Sequence, residues 1–389
     1  MDNMIKKKSI LILLDNPFTN DRRVWREART LSDKGFDITV LATQESGLHS
    51  SEVVDSIKVH RIFKNDIFDI KKSSCFKNYA QKIVSEFNFD IIHANDQTML
   101  HAAIIIKKIK PETAIVYDSH ELFRAWPLNT SVKGVKYLKS LFVRWWLKRR
   151  EARNIKEIDG LITVNESIKL DLIVHFKLSI PTISVRNIPG IQNSCGKTGI
   201  LRKIFGLSEE SKILVYIGAN IYPRSINIEQ VISEFANKAD VFMVFICKFN
   251  WGKDEIEKYS KSIGVKNLFF HDLIPPEDIN LYLADADAGI VSSWNKKDLS
   301  YWYGLDNKLF EYMMAEIPIV ATRQPEYIKI VEDYNIGICI NPEIESYFSA
   351  FEKVCRNQNM YRQNIIKAKK SINWETESKK LIEFYSQIR

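Results

Sequence analysis

The chain has 389 residues, of which 45% are hydrophobic and 27% are charged, a composition that is typical of folded proteins and excludes an intrinsically disordered chain. This length is too great for one ordinary hydrophobic core and predicts two domains. The formal net charge of +8 favours phosphate-bearing ligands, an anionic membrane surface or nucleic acid without choosing among them. Because the common nucleic-acid-binding motifs are missing from the sequence, we do not expect nucleic acid as a partner.

The cysteines and the N-terminal segment indicate where the protein works. Five cysteines are scattered along the chain with no pair at metal-ligand spacing, which predicts neither a disulfide framework nor a zinc site. A basic run and a short apolar run open the chain as in a signal peptide, but Asp15 ends the apolar run too early. We therefore predict a first buried strand here and a cytoplasmic protein.

Short apolar runs alternate with longer helical patterns through the first half of the chain. The predicted strands are rich in β-branched residues and lie at 9–14, 37–42, 90–94, 114–119, 160–164 and 182–185. The predicted helices between them include 21–34, 75–87, 97–109 and 134–155. Buried strands that alternate with helices predict a parallel sheet covered on both faces.

A polar stretch at 186–199 interrupts this alternation, which then restarts. Further strands are predicted at 212–218, 241–246, 267–272, 288–293, 318–322 and 337–340, and closing helices at 343–357, 359–371 and 374–388. The restart predicts an α/β fold of two doubly wound, Rossmann-like domains facing across a cleft. Functional residues are expected at the carboxyl ends of the strands, where open α/β sheets bind ligands.

Polar residues follow the first strand. Asn20 or Asp21 can cap the helix at 21–34, which carries Arg22 and three more arginines. The N-terminus of this helix could hold an acceptor or an anionic group. Solvated arginines are the alternative explanation for most of its charge.

A second polar group, His120 with Glu121, follows the strand at 114–119. The imidazole could bind a sugar hydroxyl or stabilise charge during a transfer reaction. A hydrogen bond from the ring to the loop backbone explains the position equally well. His93, inside another strand, is predicted to be structural.

The segment 216–235 is predicted to be a strand, a turn that contains Gly218 and Arg224, and a helix. Free amides at the start of the helix and a guanidinium beside them favour phosphate binding. A solvated arginine in a loop is the alternative.

The stretch YGLDNKLFEYMMAEIPIVAT, Tyr303 to Thr322, places Lys308 and Glu311 three residues apart on one face of a predicted helix. Asp306 or Asn307 can cap this helix, while its apolar residues face the core. The pair could be an ordinary surface ion pair. Alternatively, Lys308 binds a diphosphate and Glu311 accepts hydrogen bonds from both hydroxyls of a ribose.

A basic amphipathic helix is predicted at 133–156. Its apolar stripe consists of Leu138, Leu141, Phe142, Trp145 and Trp146. Such a helix either lies on an anionic membrane surface or covers the protein core.

The sequence predicts no metal site. Asp285 and Asp287 have metal-like spacing, but they lie where a helix gives way to a buried strand, so capping is the better interpretation.

Several segments, taken in their order, resemble the family 4 glycosyltransferases, which have the GT-B fold. They are NDRRVWREARTLSDKGFDITVLA, DIIHANDQTMLHA, VYDSHELF, LITVNESI, HDLIPPEDINLYLADADAGIVSS and NKLFEYMMAEIPIVAT. The similarity extends over roughly 10–388, and its most specific part is the last block.

This resemblance implies a retaining, metal-independent transfer of a sugar from a nucleotide-sugar, which is a substrate and not a cofactor. It implies an acceptor domain at 1–190, with helix 373–389 packing back on it, and a donor domain at 191–372. His120, Arg224 and Lys308 match residues implicated in catalysis. The donor-binding residues would be Gly218, Arg224, Tyr303, Asn307, Lys308, Leu309 and Glu311. The acceptor-binding residues would be Asn20, Asp21, Arg22 and Glu121.

Three positions depart from the family pattern: Tyr303 replaces an acid, Asp306 a common Pro, and Glu316 a common Gly. We expect a glycosyltransferase of surface polysaccharide biosynthesis, with a saccharide or lipid-linked saccharide acceptor, at the inner face of the cell membrane. A non-catalytic subunit that binds nucleotide and supports a partner transferase is the alternative suggested by Tyr303 and Glu316.

Overall fold

The computed structural model describes residues 8–63, 73–125, 134–218, 227–248 and 253–388, with the side chains of 63 and 73–78 excluded. The chain divides into two compact units. Unit 1 comprises Met1–Asn187 and Glu377–Arg389, and unit 2 comprises Ile188–Thr376.

Unit 1 contains an eight-stranded sheet in the order β3-β4-β2-β1-β5-β6-β7-β8. Every neighbouring pair is parallel except the hairpin of β3 and β4. The strands are β1 Ser9–Leu13, β2 Asp37–Thr43, β3 Ser51–Val54, β4 Ile57–Phe63, β5 Ile91–Asn95, β6 Ala114–Ser119, β7 Gly160–Thr163 and β8 Thr182–Ser184. The helices are α1 Arg22–Asp33, α2 Ser73–Glu86, α3 Asp96–Lys107, α4 Val135–Asn154 and α5 Glu166–Phe176.

Unit 2 contains a six-stranded, fully parallel sheet in the order β11-β10-β9-β12-β13-β14. The strands are β9 Lys212–Gly218, β10 Val241–Cys247, β11 Leu268–His271, β12 Ala288–Val291, β13 Ile319–Thr322 and β14 Gly337–Ile340. The first helices are α6 Ile200–Phe205, α7 Ile228–Phe235, α8 Lys253–Ser262, α9 Ile279–Leu283, α10 Leu299–Trp302 and α11 Asn307–Met314. They are followed by α12 Pro325–Tyr327, α13 Tyr347–Arg356 and α14 Gln358–Ala368, while α15 Trp374–Gln387 begins in unit 2 and belongs mostly to unit 1.

The predicted α/β fold with parallel sheets is confirmed, and each predicted strand occurs within a few residues of its expected place. The hairpin of β3 and β4 was not predicted. In both sheets the strand order reverses beside the first strand, between β1 and β5 in unit 1 and between β9 and β12 in unit 2. Such switch points are where open α/β sheets bind ligands.

Of the two aspartates before β12, Asp285 caps a helix, as predicted, whereas Asp287 does not. Asp285 accepts hydrogen bonds from the backbone N–H groups of Gly199 (3.1 Å) and Arg202 (2.9 Å), at the start of α6. Asp287 accepts one from the Ile213 N–H (2.9 Å) and pairs with the Arg202 guanidinium (3.1 Å). Because Arg202 is buried between these carboxylates, the cluster is a structural ion-pair network.

No helix in the described ranges is long and apolar enough to cross a membrane.

Candidate active site

The side chain of Tyr312 fixes α11 against the sheet of unit 2. Its hydroxyl accepts a hydrogen bond from the Ile217 N–H (3.0 Å) and lies within 3.3 Å of the Val215 carbonyl oxygen, at the switch point. Gly289 leaves room for the ring, since a Cβ there would lie 2.4 Å from ring atoms of Tyr312. The start of α11 is therefore held at the carboxyl end of β9.

Lys308 lies in the first turn of α11, above the Tyr216 ring, with its Nζ 4.7 Å from the ring centroid. The Nζ donates to a carboxylate oxygen of Asp306 at 3.1 Å, and the side chain is only 14% exposed. Although burial alone would lower it, Asp306 raises the pKa of Lys308 above its usual value. A charged ammonium is thus held where an anionic ligand would meet the sheet.

Asp306 occupies the N-cap position of α11, but its side chain makes no capping hydrogen bond. The expectation that Asp306 or Asn307 caps this helix is therefore wrong for the Asp306 side chain, which pairs with Lys308 instead. Asn307 is exposed as the first residue of the helix.

The other predicted donor residues have different surroundings. Gly218 ends β9, and a Cβ there would meet the Tyr216 hydroxyl at 3.0 Å. Glu311 is half-buried one turn after Lys308, and Tyr303 is half-buried at the end of α10. The side chain of Leu309 is fully buried in the core of unit 2, so it cannot contact a donor there. Arg224 lies outside the described residues.

Glu316 adopts a left-handed backbone conformation with φ of +60°, which explains why glycine suits this position. Its buried carboxylate accepts hydrogen bonds from Lys369 Nζ (2.5 Å) and Ser194 Oγ (2.7 Å), and it pairs with Arg362 (3.2 Å). Burial would raise the pKa of Glu316, but these donors lower it. The glutamate thus has a structural role in joining the segment before α6 to α14.

In unit 1, His120 lies between two carboxylates just beyond β6. Its Nε2 is 3.0 Å from Asp118 Oδ2 and its Nδ1 is 3.5 Å from Asp96 Oδ2. The backbone N–H of His120 also donates to Asp96 Oδ1 at 3.0 Å. Burial alone would lower the pKa of His120, but Asp96 and Asp118 raise it to about 9. Because the ring bonds carboxylates, the alternative of a ring bonded to the loop backbone is wrong.

Arg23 supplies a buried positive charge beside this histidine. Its Nη2 lies 2.9 Å from Asp118 and 3.1 Å from Glu27, and its Nη1 donates to the Val185 carbonyl oxygen at 2.6 Å. Burial would raise the pKa of Asp118, but Arg23 and His120 hold it well below its usual range. The expectation of solvated arginines on α1 is therefore wrong for Arg23, which is 4% exposed.

His93 is buried in β5, as predicted, and bonds the Tyr385 hydroxyl of α15 through Nδ1 at 2.5 Å. One ligand atom each from His93, Glu27 and Asp118 lies within 4.8 Å of the others, close enough to hold a metal ion. However, the guanidinium of Arg23 already pairs with both carboxylates, and His120 pairs with Asp118 as well. The chemistry of this group therefore favours an ion-pair network over a metal site.

The predicted acceptor residues lie at the same edge of the sheet in unit 1. Asp21 caps α1 by accepting the Val24 N–H at 3.1 Å, and Asn16 also donates to it at 2.9 Å. Asn20, Arg22 and Glu121 are exposed around it. Their role in binding an acceptor stays a prediction.

Asp96 was not among the predicted site residues. It is the first residue of α3 and has a positive φ of 63°. Its Oδ2 lies 3.5 Å from Nδ1 of His120. Burial raises the pKa of Asp96 to about 6. The sequence carried a usable signal, since an acid directly after a buried parallel strand lies at the ligand-binding edge.

Two family models match the chain. Glycosyltransferase Family 4 matches residues 21–186, and Glycosyl transferases group 1 matches residues 211–357. A search of curated proteins gives no match.

Solved structures resemble the fold over nearly the whole chain. Sucrose-phosphate synthase of Thermosynechococcus elongatus has a TM-score of 0.76 at 13% identity, covering 98% of this chain and 99% of that one. The Anabaena protein Alr3699/HepE in complex with UDP-glucose has a TM-score of 0.71 at 16% identity, covering 97% and 99%. The trehalose 6-phosphate synthase of Burkholderia multivorans has a TM-score of 0.70 at 9% identity, covering 98% and 99%. At these identities the likeness shows the fold alone.

Each unit is an α/β unit with a largely parallel sheet and a candidate site at its switch point. Together with these matches, this arrangement defines a glycosyltransferase of the GT-B class. The chain is thus a glycosyltransferase whose two parts are similar to the Glycosyltransferase Family 4 and Glycosyl transferases group 1 models.

Proposed function

We propose that the protein transfers a sugar from a nucleotide-sugar to a saccharide or lipid-linked saccharide in surface polysaccharide biosynthesis, with retention of configuration and without a metal ion. The observation that carries this proposal is the largely buried, charged Lys308 at the carboxyl end of β9. The complex of the Anabaena protein with UDP-glucose supports a nucleotide-sugar as the donor.

In the proposed reaction the bond between the anomeric carbon and the diphosphate breaks while the acceptor oxygen bonds to the same face of the sugar. The proton of the acceptor hydroxyl passes to the departing diphosphate. Lys308 stabilises the growing negative charge on that diphosphate without needing a metal ion. Arg224 is proposed to stabilise the same charge, on the basis of its position in the sequence alone.

Glu311 is proposed to accept hydrogen bonds from the ribose hydroxyls, one helical turn from Lys308. Tyr303 precedes α11, at the position where the family pattern has an acid. It is proposed to pack beside the donor sugar. The structural ion pairs of Glu316 remove one reason for expecting a non-catalytic subunit.

The outer face of α4 is proposed to lie on an anionic membrane. Leu138, Phe142 and Trp145 are 65%, 60% and 50% exposed and recur at helical spacing among basic residues. Leu141 and Trp146 are half-buried, so the predicted five-residue stripe divides between two faces of the helix. An exposed apolar stripe with flanking cations suits the interface of an anionic bilayer.

A panel of nucleotide-sugars tests the proposed function. We expect one donor to raise the melting temperature, because binding stabilises the folded state. With that donor and a saccharide acceptor, transfer should continue in the presence of a metal chelator. The product should have the same anomeric configuration as the donor sugar. Binding without turnover for every donor and acceptor would favour the non-catalytic subunit, and loss of transfer in the chelator would contradict metal independence.

A further inference from the structure

A cavity of about 580 Å³ lies in unit 1, beside the second half of α3 and the C-terminal end of α4. Since α3 begins at the carboxyl end of β5, its second half leads away from Asp96 and from the candidate site in this unit. The lining includes His101, Ile104, Lys108 and Arg153. None of these residues has a role in the proposed transfer reaction.

The cavity lining carries three cations, Lys107, Lys108 and Arg153, against one carboxylate, that of Glu157. Lys108 and Arg153 are both exposed on its lining, and neither side chain has a hydrogen bond or ion pair with any described residue. A third cation, Lys107, pairs with Asp159 at 2.7 Å and bonds the Glu157 carbonyl oxygen. Lys107 thus serves the structure, whereas the charges of Lys108 and Arg153 are uncompensated by contacts within the described ranges.

A buried arginine adds to this positive charge. Arg150 is 4% exposed, and its guanidinium lies over the Trp146 ring at 4.5 Å. No carboxylate of the described residues pairs with Arg150, and its Nε has no hydrogen-bond partner. Burial, followed by the charge of Arg153, lowers its pKa to about 10. A buried guanidinium without a counter-ion is costly, and a bound anion would relieve that cost.

His101 supplies a neutral hydrogen-bond donor to the cavity. Burial and the charges of Arg150, Lys108 and Arg153 lower its pKa to about 4, so the ring is neutral at physiological pH. Its Nδ1 lies 3.3 Å from the Asn154 amide nitrogen, which can only donate. The ring proton is therefore on Nε2, which is available to an acceptor such as a phosphate oxygen.

The remaining lining is apolar apart from the exposed residue Glu157, and it adjoins the outer face of α4. Ile104, Ile105 and Pro111 contribute the apolar surface. Along α4, the exposed residues Leu138, Phe142, Trp145 and Arg149 follow one another at helical spacing toward Arg153. A ligand in the cavity could therefore contact cations and apolar surface at once, at the end of the proposed membrane-facing stripe.

We propose that this cavity binds a phosphate group that carries an apolar substituent, with Lys108, Arg153 and the His101 Nε2–H as its ligands. A membrane phospholipid and a soluble phosphate ester present the same chemistry. Helix C-termini alone would also attract basic residues, but Lys107 already fills that role for α3.

The test measures binding and not sugar transfer, so its failure and failure of the proposed function are distinguishable. The full-length protein is titrated calorimetrically with monomeric short-chain phosphatidic acid, with inorganic phosphate, and with short-chain phosphatidylcholine. The variant is Lys108→Ala/Arg153→Ala, and the control is Lys34→Ala/Lys82→Ala, which removes two exposed lysines elsewhere in unit 1. Melting temperatures show that each variant is folded.

We expect phosphatidic acid to bind more tightly than the other two ligands, with at least tenfold weaker binding in the cavity variant and none of this loss in the control. Vesicles that contain phosphatidic acid then distinguish the sources. A parallel loss of vesicle binding identifies a membrane lipid, and unchanged vesicle binding identifies a soluble phosphate ester. Equal affinity of the wild type and the folded cavity variant for phosphatidic acid would overturn the proposal, as would the absence of binding by the wild type.

Discussion

Single charged residues define the candidate site in each of the two units. In unit 2, Asp306 keeps Lys308 charged although it is largely buried, and Tyr216 lies beneath the ammonium. In unit 1, Asp96 and Asp118 keep His120 charged in the same manner. Each site thus holds a cation that is paired with a neighbouring carboxylate. A ligand could displace that carboxylate or bind beside it.

The titration of His120 is a direct test of this arrangement. Its imidazole should titrate near pH 9 in nuclear magnetic resonance spectra, against about 6.5 for an unperturbed histidine. Because the folded-state pKa is the higher one, the charged ring stabilises the fold fully below about pH 6.5 and loses that contribution as pH rises through about 9.

Removing one carboxylate separates the causes of the shift. Asp96→Asn should lower the pKa of His120 measurably, while Asp33→Asn, an exposed position on α1, should leave it unchanged. An unperturbed His120 titration in the wild type would refute the ion-pair geometry.

At the scale of elements, the placement of α11 depends on the contact between Gly289 and Tyr312. Gly289→Ala brings a Cβ into a fully buried ring and should cost about 1–3 kcal/mol of unfolding free energy. It should also weaken nucleotide binding, because α11 carries Lys308. Denaturant unfolding and calorimetry measure both effects.

A double-mutant cycle is the control for this contact. Once Tyr312→Ala has removed the ring, adding Gly289→Ala should cost much less unfolding free energy. Equal costs in the two backgrounds would show that the ring is not what Gly289 accommodates.

The ion pairs of Glu316 give a second prediction for an element. Glu316→Ala leaves the buried Lys369 without its carboxylate and should destabilise unit 2 by about 3 kcal/mol. Glu316→Gly loses the same pairs but relieves the positive φ, and should be about 1 kcal/mol less destabilising. Both variants should keep their nucleotide affinity. Weaker nucleotide binding at unchanged stability would assign Glu316 to the site instead.

The sequence predicted those elements whose signals are local. The helical period placed Leu309, Tyr312 and Met313 on the core side of α11, where the structure has them. The hairpin of β3 and β4 escaped prediction because its two-residue turn, Asp55-Ser56, has positive φ at both positions but contains no glycine.

Contacts between distant parts of the chain could not be predicted. Arg23 and Asp118 are 95 residues apart, and no local pattern shows that one buried charge neutralises the other. The same holds for Tyr385 and His93, which are 292 residues apart. Whether a charged side chain is buried depends on its partner in the folded structure. The sequence alone therefore left solvation as an explanation for the charge of Arg23.

At the scale of the whole molecule, the net charge of +8 and the exposed stripe on α4 support attachment to an anionic membrane. Phe142→Glu/Trp145→Glu should weaken binding to anionic vesicles about tenfold or more, because two aromatic rings no longer enter the interface. Since both rings are at least half exposed, the variant should remain folded. Co-sedimentation measures the binding.

Leu170→Glu/Val174→Glu is the matched control, since it places the same charges on exposed apolar positions of α5. This variant should lose much less vesicle affinity. Unfolding of the α4 variant, or equal losses in both variants, would rule out α4 as the membrane-binding face.

The most direct test of the account is the calorimetric affinity for a nucleoside diphosphate, compared with that for its 2′-deoxyribose analogue. The wild type should prefer the ribose form, and Glu311→Ala should abolish that preference. Lys308→Ala should weaken the binding of both ligands by at least tenfold. Lys296→Ala, at an exposed lysine before α10, should leave both affinities unchanged. A ribose preference that survives in Glu311→Ala, or undiminished diphosphate binding in Lys308→Ala, would contradict the assignment of α11 as the donor-binding helix.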